Sequence, residues 1–242
     1  MSSADFGWAK VSLDRYEPGS LAPHLHETDG LFVLLGGDHI DDNGRSTHTQ
    51  RPSSVVVHPV GLRHGTEVGP AGMVGINVFF RDEAPCPTCR AYSVHSNRLV
   101  RDSALRLAGQ MIRQPCAAEA ATHELLSSFS DSCSGKTPRW FRRALAFLEE
   151  DQIANVSLTG LAREIGVHPV SLCREFRRQT GTTFSDHVSG LRAARLCSAV
   201  LQSRPIGESS VASGYADHAH GTRSFRRYTG LSPAAFATAC IG

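Results

Sequence analysis

The 242-residue sequence lacks several features that would each fix a class of protein. Its longest strongly apolar stretch, Leu31–Leu35, is far too short to span a bilayer. The first ten residues show no apolar segment typical of a secretory signal peptide. Seven cysteines are an odd number, which disfavours a disulfide scaffold and favours reduced thiols. No P-loop, dinucleotide fingerprint or nucleophile elbow is present. We therefore expect a cytoplasmic protein without a membrane segment.

Charge is distributed unevenly along the chain. Residues 1–138 hold 12 Lys+Arg and 15 Asp+Glu, a net charge of −3, whereas residues 139–242 hold 13 and 8, a net charge of +5. All thirteen cations of the second part are arginines. The asymmetry indicates two modules with different partners, although solvated helix faces would give the same imbalance.

The first 95 or so residues are predicted to form short strands. Apolar runs at 31–35, 54–57 and 73–80 alternate with turn-forming segments, a pattern typical of a small barrel or sandwich. The predicted turns include Gly36-Gly37, Asp42-Asn43-Gly44 and Gly69-Pro70-Ala71-Gly72.

Helical spacing of apolar residues begins near Asn97. Two helices are predicted, separated by Pro115, and a polar segment at 132–138 is the predicted linker. The apolar stripes of these helices can either join two copies of the chain or pack against the strands of the same chain. The residues concerned are Leu99, Leu107, Met111, Leu125 and Leu126.

The strongest signal lies between residues 156 and 181. A short apolar-faced helix at 158–165 is followed by Gly166 and by a second helix that starts at Pro169. Leu172 and Phe176 face inward on that second helix, which leaves its arginines outside. A short helix, a glycine turn and a helix with a basic outer face predict a helix-turn-helix.

A similar unit recurs about 48 residues later. Residues 213–230 align with 165–181, with one extra residue in the turn, and both copies end Phe-Arg-Arg-x-Thr-Gly. A long helix at 184–202 is predicted to join them. Further helices are predicted at 139–151, 206–213, 217–228 and 233–239.

Five motifs recur along residues 139–239: Leu158-x-x-Leu-Ala-x-x-x-Gly166, Phe176-Arg-Arg-x-Thr-Gly181, Arg192-x-x-Arg195, Gly214-Tyr-Ala-Asp217 and Phe225-Arg-Arg-x-Thr-Gly-x-Ser-Pro233. Through these motifs the segment resembles the DNA-binding domain of the AraC/XylS family of bacterial transcription regulators, which contains two helix-turn-helix units. The resemblance implies double-stranded DNA as partner, RNA polymerase as a further partner, activation of transcription, a homodimer and a place on the bacterial nucleoid.

The second helix of each unit is expected to lie in the major groove of DNA. Arg174 and Arg223 hold equivalent positions and can pair with guanine. The other predicted base-contacting residues are Val170, Ser171 and Cys173 in the first unit and His218, Ala219, His220 and Thr222 in the second. Four more arginines are expected to contact phosphates or to brace the fold: Arg177, Arg178, Arg226 and Arg227.

The second unit departs from the family pattern at three positions that normally belong to its core. Ser209 and Ser210 stand where apolar residues are usual, and Gly221 replaces a bulky apolar residue. Glycine inside a helix costs about 1 kcal/mol. The sequence therefore predicts that the second unit is less stable than the first.

Three histidines are candidates for a ligand or metal site in the front half. His24 and His26 share one face of a predicted strand, and His64 follows the turn at Pro59-Val-Gly61. The two segments resemble the short motifs of the cupin barrel, which is common in AraC-type sensor domains. Imidazole binds zinc, iron, copper and nickel, so a divalent metal is one interpretation.

The carboxylate that metal-binding cupins carry after the second histidine is missing, because Gly30 and Leu31 stand there. This favours the other interpretation, a metal-free ligand pocket or residual scaffold histidines. Asp29 could contribute only if the strand bends.

The pair Cys86-x-x-Cys89 is a second candidate site. It can form a redox disulfide or provide half of a metal site. The alternative is two ordinary loop cysteines beside prolines.

Together these observations predict an α+β protein. A small cupin-like β-barrel (1–96) is followed by a helical dimerisation or linker region (97–136). An all-α DNA-binding domain (137–242) contains helix-turn-helix units at 158–180 and 206–229.

The predicted function is sequence-specific regulation of transcription rather than catalysis. An unidentified small-molecule or redox effector would modulate promoter binding through the N-terminal domain. The alternatives are a metal-dependent cupin enzyme fused to a DNA-binding domain and a DNA-repair protein with a reactive cysteine.

Overall fold

The computed structural model describes residues 1–81, 91–129, 137–149 and 151–242. Strands come first and helices follow, which confirms the predicted α+β class. The strands are β1 (Ser2–Asp5), β2 (Ala9–Tyr16), β3 (Gly19–Leu25), β4 (Gly30–Asp42), β5 (Thr47–Thr49), β6 (Val55–His58), β7 (Arg63–Phe80) and β8 (Ser93–His95). The helices are α1 (Arg98–Arg113), α2 (Glu119–Ser127), α3 (Arg139–Glu149), α4 (Leu158–Ile165), α5 (Pro169–Thr180), α6 (Phe184–Leu201), α7 (Ile206–Ala212), α8 (His218–Thr229) and α9 (Pro233–Ile241).

The strands form one antiparallel sheet in the order β1-β2-β7-β4-β6-β8, with β3 paired to β7 and β5 paired to β4. The predicted hairpin at Asp42-Asn43-Gly44 is confirmed, since Asp42 pairs with Thr47 across it. Because β4 and β7 are long and pair along most of their length, they form the centre of the sheet.

The turns predicted at Gly36-Gly37 and at 69–72 are wrong, because β4 and β7 continue through both segments. Gly37 and Gly72 have φ angles of +96° and +68°, and the pairing register shifts near Gly37. A Cβ on Gly37 would lie 2.0 Å from the carbonyl oxygen of Gly72. The glycines therefore allow two paired strands to bend at a bulge rather than to end.

Two large hydrophobic cores hold the described residues together, beside a minor cluster of four buried residues of the sheet, Phe32, Leu34, Val68 and Met73. The larger core joins the sheet to α1, α6, α8 and α9, with Val33, Leu107, Leu196 and Phe225 among its members. The smaller core joins α3, α4, α5 and the start of α6. The second helical pair therefore shares the core of the sheet, whereas the first pair has a core of its own. The domain boundaries predicted at 96 and 136 remain predictions.

Helices α1 and α6 both connect the sheet to the second helical pair. A Cβ on Gly109 would lie 1.7 Å from the carbonyl oxygen of Thr229, so only glycine allows α1 and the end of α8 to approach this closely. The guanidinium of Arg113 also lies beside Gly230, just beyond α8. The C-terminal end of α8 is thus packed directly on α1.

The apolar stripes of α1 and α2 pack mostly within the chain. Leu107, Met111 and Leu125 are fully buried in the larger core, so packing within the same chain is the correct interpretation for these three. Leu99 and Leu126 are half-buried. The predicted homodimer remains a prediction.

Among the described helices, none is both long enough and apolar enough to cross a membrane.

Candidate nucleic-acid interface and histidine cluster

The first helix-turn-helix follows directly from its local sequence. Ser157 Oγ accepts a hydrogen bond from the Gly160 amide (3.0 Å) and caps the start of α4, which ends at Gly166 with φ +79°. His168 caps α5 in the same way, and its Nδ1 accepts from the Val170 amide at 3.3 Å. Since Leu172 is fully buried in the smaller core, the opposite face of α5 points outward.

The second helix-turn-helix has the same arrangement with smaller residues between its helices. Asp217 Oδ1 accepts from the His220 amide at 2.7 Å and caps α8. Ser210 is fully buried, and its hydroxyl donates to the carbonyl oxygen of Ile206 at 2.8 Å. A Cβ on Gly221 would lie 2.6 Å from Ser210 Oγ. The unusual serine and glycine therefore let α7 and α8 pack closely.

The predicted base-contacting residues are accessible in both units. Arg174 and Arg223 are exposed, and Val170 is an exposed apolar residue (57%) at the start of α5. Cys173 and Thr222 are half-buried. The remaining exposed members are Ser171, His218, Ala219 and His220.

The four flanking arginines divide into two pairs. Arg178 forms an ion pair with Glu175, and Arg227 forms one with Asp186 at 3.6 Å while lying over the ring of Tyr228. Arg177 and Arg226 are exposed. Arg178 and Arg227 therefore pair with carboxylates of the protein itself in this conformation, and their role in contacting phosphates or bracing the fold stays a prediction.

The three predicted histidines of the front half come together beside a cavity of about 180 Å³. The ring nitrogens of His24, His26 and His64 lie within 4.8 Å of one another. His24 is exposed, His26 is half-buried and His64 is buried. Strand β3 carries His24 to the position paired with His64 on β7, and His26 follows at the end of β3.

Two further residues complete the cluster, and the sequence reasoning missed both. Asp41 is fully buried, and its carboxylate accepts from His64 Nδ1 at 2.7 Å and from His58 Nε2 at 3.0 Å. His64 Nε2 lies 2.7 Å from His26 Nε2. Because an ionised carboxylate only accepts, His64 donates through Nδ1, and His26 then donates to His64 Nε2 when both rings are neutral.

Burial and neighbouring charges set the protonation of this cluster. Burial raises the pKa of Asp41, but the hydrogen bonds from His58 and His64 outweigh it and hold that pKa well below its usual range. Burial, together with the charges of the other three histidines of the cluster, lowers the pKa of His26 to about 4. Burial also lowers the pKa of His58, against the hydrogen bond to Asp41. The cluster thus combines an anionic carboxylate with a neutral His26 near pH 7.

The strand pattern explains why Asp41 was missed. Simple alternation fails along β4 because its register shifts twice, between Leu34 and Gly36 and between Gly37 and His39. Asp29, considered as a ligand, instead accepts from the Val60 amide at 2.8 Å. His58 stands just before the Pro59 turn, a position from which it could have been considered together with His64.

The predicted thiol site at Cys86 and Cys89 lies outside the described residues. The described cysteines, Cys116, Cys173, Cys197 and Cys240, are all free. Cys173 and Cys197 lie in helices as predicted, and burial raises the pKa of the Cys197 thiol.

Comparison with known proteins points to the helical part of the chain. Residues 161–239 match a family described as a helix-turn-helix domain. The HTH-type transcriptional regulator RipA of Corynebacterium glutamicum is 31% identical over 105 residues, which is 43% of this chain and 32% of RipA. The chain thus matches about a third of the length of this relative.

Two solved structures are similar over different parts of the chain. ToxT from Vibrio cholerae is 10% identical over 97% of this chain and all of that chain, with a TM-score of 0.42. A cupin-2 domain containing protein from Shewanella frigidimarina is 20% identical over 32% of this chain and 76% of that chain, with a TM-score of 0.30.

The repeated motifs, the two helix pairs and the family match agree on the same segment. Residues 161–239 of this chain match a helix-turn-helix domain, in agreement with the helix pairs that the structure shows there.

Proposed function

We propose that the protein is a sequence-specific DNA-binding regulator of transcription whose promoter binding responds to a signal sensed in its N-terminal half. The observation that carries the proposal is the pair of accessible second helices, α5 and α8, each with arginines on its outer face, within an AraC-type segment. Such a protein acts at the chromosome, so a cytoplasmic location and contact with RNA polymerase belong to the same proposal.

The chemistry of the two outer faces supports distinct tasks. Arg174 and Arg223 lie one turn into α5 and α8, where a guanidinium can donate two hydrogen bonds to guanine O6 and N7. Val170 offers an apolar surface for a thymine methyl group. Arg177 and Arg226, exposed further along the helices, suit contacts with phosphates, which add affinity without sequence preference.

A binding-site selection from random duplex DNA tests the base-reading role. We expect Arg174→Ala and Arg223→Ala each to lose about 1–3 kcal/mol of discrimination at one base pair, in different parts of the selected site. Arg45→Ala, which removes an exposed arginine from the β4–β5 hairpin, is the matched control. If both variants select the same site as the unaltered protein with the same preference, neither arginine reads a base.

The histidine cluster is the proposed sensing site of the N-terminal half. Its donor set fits a divalent metal, because three imidazoles converge. In addition, the Nδ1–H of His64 donates a hydrogen bond to the carboxylate of Asp41, as metal-bound histidines commonly do. His24, His26 and His64 would hold the ion, and Asp41 would orient His64. A bound ion would supply positive charge and free coordination positions beside the cavity. Without metal, the same cavity is a small polar pocket for an organic effector.

Metal analysis of the full-length protein separates these two states. If metal is the signal, we expect about one equivalent in the unaltered protein, much less in His24→Ala/His64→Ala, and an unchanged amount in the hairpin control His48→Ala. Equal metal content in all three proteins would exclude this site. Thiol titration of the same preparation tests the redox alternative at Cys86 and Cys89.

The convergence of three histidines beside a cavity also supports the second candidate, a metal-dependent enzyme fused to a DNA-binding domain. Metal that is bound but has no effect on DNA binding would favour this candidate over the sensor. A metal-dependent change in DNA affinity would favour the sensor.

A further inference from the structure

The two helix-turn-helix units touch each other directly, and not only through α6, the helix that joins them. Gly214, in the turn of the second unit, lies against Ala154, in the short 3₁₀ helix Asp151–Asn155 that connects α3 to α4. A Cβ on Gly214 would lie 2.7 Å from Ala154 Cα and 2.8 Å from the Ala154 carbonyl oxygen. Real Cβ atoms do not come this close to other atoms, so the contact requires glycine.

The equivalent glycine of the first unit makes no such contact. Gly166 and Gly214 hold the same position of the repeat, and both have a positive φ, +79° and +91°. A Cβ on Gly166 would meet no atom of the described residues within 4 Å beyond its chain neighbours. The turn geometry therefore explains a glycine at both positions, whereas the close approach to Ala154 is a property of Gly214.

Two arginines of α6 hold the same part of the first unit. Arg192 Nη2 donates to the carbonyl oxygens of Ile153 at 3.3 Å and of Ala154 at 3.1 Å. Three residues further along α6, Arg195 Nη2 donates to the carbonyl oxygen of Glu149 at 3.4 Å. Carbonyl groups at a helix end lack a partner within the helix, and basic side chains can satisfy them. Helix α6 is thereby attached to the end of α3 and to the 3₁₀ helix that follows it.

These contacts connect the cores of the two units over a short distance. Ile153, next to Ala154, is buried in the smaller core. Tyr215, next to Gly214, is buried in the larger core and lies against Gly221 of α8. Because protein cores are closely packed, neither neighbour can move far without disturbing its core. The contact between Ala154 and Gly214 therefore resists rotation of one unit against the other.

The relative position of the two units determines which DNA spacing they fit. Helices α5 and α8 would each contact one segment of the major groove, and neighbouring base pairs lie about 3.4 Å apart along the duplex axis. Two helices held at a fixed separation therefore fit one spacing of the two segments. They fit a spacing that is changed by one base pair poorly.

We propose that Arg192 and Gly214 are positioning residues that fix the separation of α5 and α8, and through it the spacing of the two DNA segments that the protein recognises. Neither residue belongs to α5 or α8, so they act by holding the two units rather than by contacting bases. The proposal rests on the DNA-binding function proposed above.

Duplexes that carry the selected binding site, with one base pair added or removed between its two halves, test the proposal on the full-length protein. In the unaltered protein we expect affinity to fall about tenfold with either change, because the two helices no longer match both segments. In Arg192→Met, which keeps a long side chain but removes its donors, we expect a fall of about threefold or less. Base preference within each half should stay unchanged.

Gly214→Ala should relax the spacing preference in the same way, since its methyl group displaces Ala154. Its matched control is Gly166→Ala, which places alanine at the equivalent positive φ with no neighbour to displace. The control for Arg192→Met is Arg204→Met, which removes an exposed arginine between α6 and α7. Both controls should keep the spacing preference. A variant that is only less stable loses affinity by the same factor at every spacing, so the ratio of affinities separates positioning from stability.

Pulsed electron resonance measures the separation of the two units without DNA. Spin labels on unnatural amino acids, which leave the native cysteines unlabelled, replace Val170 of α5 and Val211 of α7, both 57% exposed. We expect a narrow distribution of label distances in the unaltered protein and in both controls. We expect a broader or shifted distribution in Arg192→Met and Gly214→Ala. Circular dichroism checks that each variant is folded, and Arg192→Met decides alone if Gly214→Ala does not fold.

Failure of this proposal and failure of the regulatory function give different results. If the protein selects a DNA site and both variants keep its spacing preference, or the controls lose it as well, the positioning proposal is wrong and the regulatory function stands. If no DNA sequence is selected, the regulatory function is wrong, and the label distances decide whether Arg192 and Gly214 hold the units. Equal distance distributions in all the proteins would then overturn that role. A change in only one of the two variants confirms the role of that residue and rejects the role of the other.

Discussion

The two helix-turn-helix units share a repeated sequence but differ in what supports them. In the first unit, Leu172 and Phe176 pack into a core made by α3, Ile153, α4, α5 and the start of α6. In the second unit, the equivalent positions are Gly221 and Phe225, and the unit is part of the core that includes the sheet and α1. A repeat can therefore keep its outer, arginine-bearing face while its inner face adapts to different neighbours.

The substitutions inside the second unit compensate one another. Gly221 stands where the first unit has Leu172, and Tyr215 stands where the first unit has Val167. Tyr215 is buried against Gly221, and its hydroxyl donates to Ser224 Oγ at 3.1 Å. The larger tyrosine thus occupies space that the missing leucine leaves, which the helix propensity of single residues cannot reveal.

The largest effect in this comparison is expected when each of the two equivalent phenylalanines is replaced by alanine. Phe176→Ala and Phe225→Ala should each cost about 3–5 kcal/mol of the free energy of unfolding, because both rings are fully buried. We expect hydrogen exchange to increase only within 139–180 for Phe176→Ala but also in β4 and β7 for Phe225→Ala. Val170→Ala, at an exposed position, is the control. The same exchange pattern in both variants would mean that the two cores unfold together.

A smaller effect is expected from acid, through His187 between the two units. Its pKa is lowered to about 3 by burial and by the nearby arginines, so the unfolded chain takes up a proton before the folded chain does. Stability from this group is present above pH 6.5 and is lost as the pH falls from about 6.5 towards 3, at about 1.4 kcal/mol per pH unit. Denaturant titrations at pH 7 and pH 5 measure the free energy of unfolding. We expect this free energy to fall less between the two pH values in His187→Leu than in the unaltered protein. A loss equal to that of the unaltered protein would assign the acid sensitivity to other groups.

Gly221→Ala should cost about 1–3 kcal/mol, although alanine favours a helix more than glycine does. The added methyl group would lie 2.6 Å from Ser210 Oγ and 3.3 Å from the Tyr215 ring. Thermal unfolding measures the loss, and Ser210→Gly in the same chain should restore part of it. If Gly221→Ala stabilises the protein, α7 and α8 are not closely packed at this point.

The smallest expected effect is a difference in hydrogen-exchange protection between the two helix-turn-helix units of the unaltered protein. The sequence predicts lower protection from hydrogen exchange for 206–229 than for 158–180, because of Ser209, Ser210 and Gly221. The structure supplies a reason for the opposite order, since the second unit shares the larger core. We now expect 158–180 to exchange faster, and native-state exchange decides between the two orders.

The helices were predicted well because their ends carry local signals. The predicted helices at 158–165 and 169–180 agree with α4 and α5, whose boundaries are set by Ser157, Gly166 and Gly181. The strands were predicted less well, because Gly37 and Gly72 bend long strands where a turn was expected. Such a bend depends on contact between distant residues, which a local pattern does not contain.

The candidate sites show the same contrast. His24, His26 and His64 belong to short motifs and could be found from the sequence. Asp41 could not, because two bulges in β4 determine which way it points.

The close contact between Gly109 and Thr229 has a consequence for binding geometry. It fixes α8 to the N-terminal half of the molecule, so that any adjustment of the distance between α5 and α8 must come from the first unit turning about α6. If the two DNA segments that the protein contacts were one base pair further apart or closer together, α8 would contact its segment at the same base pairs as before. The contacts of α5 would change instead.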